Sequence, residues 1–159
     1  MYFKQSDFFA GMAHGFVKDI MANVEKTAYE TDDVIFTETD EARYFYILIK
    51  GHVKLHIGVD GYTAYVINRA GECFGWSSLI DRPHFSASAV CAAPTSLMRL
   101  EKTYMRRIIQ SDPHNGLIFM ERIANMIGER LLNCYRTLSS SAQLALHPTE
   151  GTGEMQEAL

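Results

Sequence analysis

The sequence predicts a mainly β fold, an antiparallel sandwich or roll with helices at both ends. Three observations carry this. Short apolar or alternating runs recur between turn signals about every 8–12 residues from Glu25 to Leu100. The segments on either side switch to a helical period. Nothing in the β stretch alternates strand with helix as a parallel sheet would.

The 159 residues leave room for one ordinary domain, and 47% apolar with 21% charged side chains is a globular balance. Fifteen Lys and Arg against 19 Asp and Glu give a formal charge of −4, which argues against nucleic-acid contact by this chain alone. Cys73, Cys91 and Cys134 are scattered, outside any C-x-x-C spacing, and read as buried thiols of a reducing compartment, so a cytoplasmic protein is expected. No apolar run approaches the ~18 residues a membrane helix needs, and Met1–Gln5 is not a signal peptide.

Taken in order, Ser6 to Met12 reads as a short capped turn closed at Gly11, the start of a helical lead-in over 6–24. Phe16, Val17, Ile20, Met21 and Val24 then form an amphipathic stripe from His14 to Val24. A β-roll is expected over 25–100. Val34–Thr37 and Arg43–Lys50 are rich in β-branched and aromatic residues. His52–Ile57 alternates strictly, with Val53, Leu55 and Ile57 on the apolar face. Asp60-Gly61 is a hairpin turn returning as Tyr62–Asn68. Ser86–Ala92 and Thr95–Leu100 complete seven or eight strands.

Helices return over 101–138. Tyr104, Met105, Ile108 and Ile109 stripe the first, and Ser111-Asp112-Pro113 ends it and starts the next, where the missing N–H of proline costs little. That second helix carries two apolar faces. Met120, Ala124, Ile127, Leu131, Cys134 and Leu138 step 4, 3, 4, 3, 4, a coiled-coil seam that predicts a parallel homodimer. Phe119, Ile123 and Met126 face elsewhere, continuing through Leu132 and Tyr135. The alternative is one broad face packed on its own domain. Residues 139–159 are polar and acidic with Gly and Pro, and a disordered tail is expected there.

Three stretches resemble one family. They are Tyr29-Glu30-Thr31-Asp32-Asp33-Val34-Ile35-Phe36, then Phe45 to Leu55 (FYILIKGHVKL), then Gly71-Glu72-Cys73-Phe74-Gly75. In order and at this spacing they are similar to the cyclic-nucleotide-binding domains of regulators like the cAMP receptor protein, over about Phe8 to Thr137. The resemblance implies a double-stranded β-helix or jelly roll followed by a long dimerisation helix. It also implies a cyclic nucleotide, cAMP or cGMP, as the ligand, with no certain cofactor beyond it.

In the family the phosphate-binding cassette reads like F-G-E-L-A-L and then P-R-A-A, the Glu holding the ribose and the Arg the phosphate. Aligned without gaps, Trp76 stands at the Glu position and Phe85 at the Arg position, while Gly75 and the small Ser86-Ala87 pair remain. A hydrogen bond to a charged group contributes ~1.5–3 kcal/mol. Loss of the Arg alone therefore weakens a cyclic phosphate roughly ten- to a hundredfold or more. The F-G-W-S variant resembles stand-alone bacterial members that keep an Arg-like residue downstream.

The candidate ligand-binding residues are thus Gly75, Trp76, Ser77, Ser78, Arg82, Phe85, Ser86 and Ala87. Trp76 either stacks on a planar ligand or fills the space of one. Arg82 or His84 either replaces the missing cation or is solvated. Ser77 and Ser78 either donate to an anion or are ordinary helix-start hydroxyls. His52 and His56 lie four residues apart on a strand, about 13 Å at ~3.3 Å per residue, and cannot share a metal ion. Nothing selects a haem ligand, and no catalytic motif appears.

No enzyme is expected. The leading expectation is a regulatory sensor domain with a small-molecule pocket between the roll and the long helix, signalling through that helix to an effector protein. One alternative is a ligand-free dimeric interaction module. Another is the sensor half of a transcription regulator whose DNA-binding domain is missing from this chain.

Overall fold

The computed structural model describes residues 7–58, 61–80 and 82–146. Ser6 of the expected first cap, Asp60 of the hairpin turn and residues 147–159 of the expected tail lie outside them. The described chain forms two compact units, one through Met126 and one from Ile127 onward.

The first unit opens with a 3-10 turn, Asp7–Phe9, and helix α1, His14–Ala22. The helix stops two residues before the expected Val24. There the Asn23 backbone N–H donates to the Ile20 carbonyl and its side-chain amide donates to the Asp19 carbonyl. Eight strands follow among the described residues: β1 Glu25–Tyr29, β2 Val34–Phe36, β3 Tyr44–Lys50, β4 Val53–Ile57, β5 Tyr62–Ile67, β6 Cys73–Phe74, β7 Ser88–Cys91 and β8 Thr95–Glu101. They make two antiparallel four-stranded sheets, β1-β8-β3-β6 and β2-β7-β4-β5. This is the β-roll the resemblance implies.

β3 explains its own sequence. Its residues Phe45 to Leu48 are all buried, so the strand reads as an apolar run rather than an alternation. Tyr46 and Leu48 face the roll interior, joining Phe36, Val53, Ile67, Phe74, Phe85 and Leu97. Phe45 faces the helical side, its ring 5.9 Å from Phe119 and 6.4 Å from Phe8. β4 departs from its expected face at one end: Val53 is buried but Ile57 is half exposed. The register shifts between Leu55 and His56, which turns the tip of the β4–β5 hairpin away from the core.

Helix α2, Lys102–Ser111, ends at Asp112, and α3, Pro113–Leu146, begins there. The Asp112 carboxylate accepts from the Asn115 backbone N–H at 3.1 Å and from its side-chain amide at 2.7 Å. The side-chain amide oxygen of Asn115 in turn accepts from the Ala13 N–H at 2.7 Å, tying the start of α3 to the start of α1.

The second unit is the remainder of α3. It runs to Leu146, past the expected end at Leu138, so 139–146 is helix rather than tail. The hydroxyls of Thr137 and Ser140 donate to the carbonyls of Asn133 and Arg136, four residues back, so these polar side chains are satisfied within the helix. Within the unit Leu131, Leu132, Tyr135 and Leu138 are exposed.

Candidate functional site

The cassette begins at Gly75, whose φ of 75° lies in the left-handed region. A Cβ at this position would stand 2.9 Å from both the Tyr44 carbonyl oxygen and the Tyr46 ring. Only glycine lets β6 turn this close to β3. The chain then makes a short 3-10 turn, Trp76–Leu79, in which the Ser78 hydroxyl donates to the Gly75 carbonyl at 2.9 Å.

The returning segment is pinned at its backbone: Phe85 N–H donates to the Asp40 carbonyl and Ala42 N–H to the Pro83 carbonyl. That delivers the Phe85 ring into the roll. It is 6% exposed and stacks on Phe36, ring centroids 3.7 Å apart and planes within 16°. Behind this pair Tyr46 stacks on Phe74 at 5.1 Å. Burial pushes the Tyr46 phenol far above its ordinary pKa, so it stays neutral at every physiological pH.

Trp76 and Phe85, expected at the two anchor positions, do line one cavity. Gly75, Ser77, Ser86 and Ala87 line it with them. Ser77 is 2% exposed, and its hydroxyl donates to that of Ser86 at 3.4 Å. The cavity measures about 20 Å³. One water needs about 10–15 Å³, and ligand pockets run to ~300–1,000 Å³. The rings of Phe36, Trp76 and Phe85 line what space there is.

Two of the expected residues do not line it. Ser78 turns back to cap Gly75, and Arg82 is exposed, its guanidinium carbon 5.9 Å from the Trp76 ring centroid. His84 is exposed in a bridge to Glu41. All the lining comes from the roll and cassette, with Phe36 and Leu55 added and no residue of α3 among it. Inward alternation on β2 and β4 is the sequence signal that could have found those two.

The seam residues lie on α3. Met120 and Ile127 are half buried, and Ala124, Leu131, Cys134 and Leu138 are exposed. Among the described residues no group of three His, Cys, Asp or Glu could hold a metal ion, and no helix is long and apolar enough to cross a membrane.

Comparison with known proteins agrees with the fold. The profile of the family described as cyclic nucleotide-binding domain matches residues 26–112. The cyclic AMP receptor protein of Thermus thermophilus is 28% identical over 155 residues, covering 84% of this chain and 71% of the relative. Among solved structures, a cyclic nucleotide-binding protein from Geobacter metallireducens is 28% identical with a TM-score of 0.71, over 79% of this chain and 92% of its own. A cyclic nucleotide-binding domain from Methylobacillus flagellatus, 20% identical, reaches 0.76 over 86% and 81% and shares the fold.

Proposed function

Because the chain belongs to the cyclic nucleotide-binding domain family, we propose that it is a non-catalytic regulatory module of the cytoplasm whose cassette is filled by its own aromatic side chains. It works as a parallel homodimer through α3, docking on an effector protein without cyclic nucleotide. One observation carries this: the Phe85 ring on Phe36 in a cavity of about 20 Å³.

The magnitudes decide it. Expelling Phe85 exposes a buried side chain at ~1.5–3 kcal/mol and breaks a stacked pair worth ~0.5–1.5 kcal/mol. A cyclic phosphate entering then finds Phe85 where the family's arginine would supply ~1.5–3 kcal/mol. Together these cost roughly 3.5–7.5 kcal/mol, a loss of about three-hundred-fold to several hundred thousandfold in affinity. Coupling between sites in regulators is typically ~1–3 kcal/mol, too little to offset it.

A second reading, a small-molecule sensor, is favoured by Arg82, whose guanidinium stands over the Trp76 ring at the cassette. There a cyclic nucleotide or a smaller ligand would be sensed once the rings part. Titration with cyclic AMP and cyclic GMP separates the two, following the single tryptophan's fluorescence and the thermal midpoint. A flat response at millimolar nucleotide is expected. A saturable quench with a raised midpoint would establish the sensor instead.

A further inference from the structure

A second, larger groove lies away from the cassette cavity. It lies toward the other end of β3 and β4: its lining includes His52, three residues or about 10 Å at ~3.3 Å per residue from Leu55 of the cassette cavity. Its volume is about 710 Å³, within the range of small-molecule sites and far above the 20 Å³ beside Trp76.

The floor is set by strand register. Ala28 of β1 and Lys50 of β3 both pair with Ser96 of β8, so the three form one row across the sheet. Neighbouring strands are ~4.8 Å apart, which makes the row about 10 Å wide. Small side chains at Ala28, Ser96 and Ala93 leave it open. Two turns frame it rigidly. Gly51, at φ 111°, lies so close to β8 that a Cβ would stand 2.6 Å from the Thr95 Cα. The Thr95 hydroxyl, 2% exposed as a residue, accepts from the His52 N–H and donates to the Ala93 carbonyl at 2.8 Å.

The rim is chemically polarised. Lys50, His52 and Asn68 gather on the β3–β4 and β5–β6 side, while Glu30 stands beyond Ala28 on the other. The side-chain polar groups of Lys50, His52, Asn68 and Ser96 have no hydrogen-bond or ion-pair partner among the described residues. In a chain with a net charge of −4, this end of the groove carries an ammonium, an imidazole and an amide, all exposed. Ile49, Ala93 and Pro94 supply apolar surface next to it.

We propose that this groove is a second ligand site, which takes an organic anion with one charged end, a carboxylate or phosphate carried on an apolar body. The charge lies at Lys50 and His52, the body over Ala28 and Ala93, and Glu30 rejects a second negative end. The site is independent of the cassette and of the reading given to it.

Phenyl phosphate is the probe, followed by amide shifts of the 15N-labelled full chain. Saturable shifts are expected at Gly51, Asn68 and Thr95 and none at Gly75–Ser78. Lys50→Glu, an exposed position, should weaken binding at least tenfold, and Ala93→Trp should abolish it by filling the hollow. A well-dispersed spectrum checks the fold, and Lys50→Glu decides alone if Ala93→Trp does not fold. Inorganic phosphate should bind at least tenfold more weakly. Absence of shifts at millimolar probe, shifts unchanged in Lys50→Glu, or equal binding of inorganic phosphate would each overturn the proposal.

Discussion

The rings of Phe36 and Phe85 lie parallel at 3.7 Å, one from the second strand and the other from the cassette's returning segment, 49 positions apart in the chain. Their contact leaves the cassette a cavity of only about 20 Å³. Two substitutions probe it from opposite directions. Phe85→Ala removes a buried ring and should cost ~3–5 kcal/mol, read as a large drop in denaturant midpoint. Phe85→Arg restores the cation as well as removing the plug. It should bring cyclic AMP affinity into the measurable range, at least tenfold above the native chain. No gain in that variant would mean the cassette is aligned wrongly.

Gly75 is the second point of control. Its positive φ and the 2.9 Å approach of a Cβ to the Tyr44 carbonyl make Gly75→Ala strained and crowded at once. A loss of more than ~1 kcal/mol is expected, measured by chemical denaturation. A neutral result would show that the β6 turn can relax away from β3.

The α3 seam is tested by charge and by chemistry. Ile127→Asp should shift the protein to monomer in light scattering, and an unchanged mass would contradict the dimer. In a parallel pair, Cys134 of each copy meets its counterpart, whereas Cys73 and Cys91 are buried. Mild oxidation should give a covalent dimer on a non-reducing gel, and Cys134→Ser should remove it.

Asp112 predicts a pH dependence. Its hydrogen bonds from the Asn115 backbone and side chain hold its carboxyl below the ordinary carboxylate value. A lowered folded-state pKa contributes stability above the unfolded value of about 4 and loses it as pH falls through the folded one. Between pH 5 and pH 2 the native chain should therefore lose more stability than Asp112→Asn. An equal loss in both would show that the α3 cap carries none of the acid sensitivity.

Most of the fold was legible because its signals are local. Alternation gave β4, the hairpin turn gave β5, and Pro113 gave the α2–α3 break. β6, two residues long, carries no period of its own and shows only through its pairing with Tyr46 and Ile47. The helix beyond Leu138 was hidden by Ser139 to Ser141, whose composition reads as tail. At the cassette, position placed Trp76, Ser77 and Phe85 around one cavity. Phe36 was signalled only by the inward alternation of β2, which the cassette motif does not include. Nor could position show that Ser78 turns back to cap Gly75.

The most direct measurement of the central claim is a titration of the 15N-labelled chain with cyclic AMP into the millimolar range. The Gly75 and Ser77 amides and the Trp76 indole are the probes. The closed Phe36–Phe85 stack predicts that none of these resonances moves. Saturable shifts at all three would mean the rings part for a nucleotide and would contradict the account.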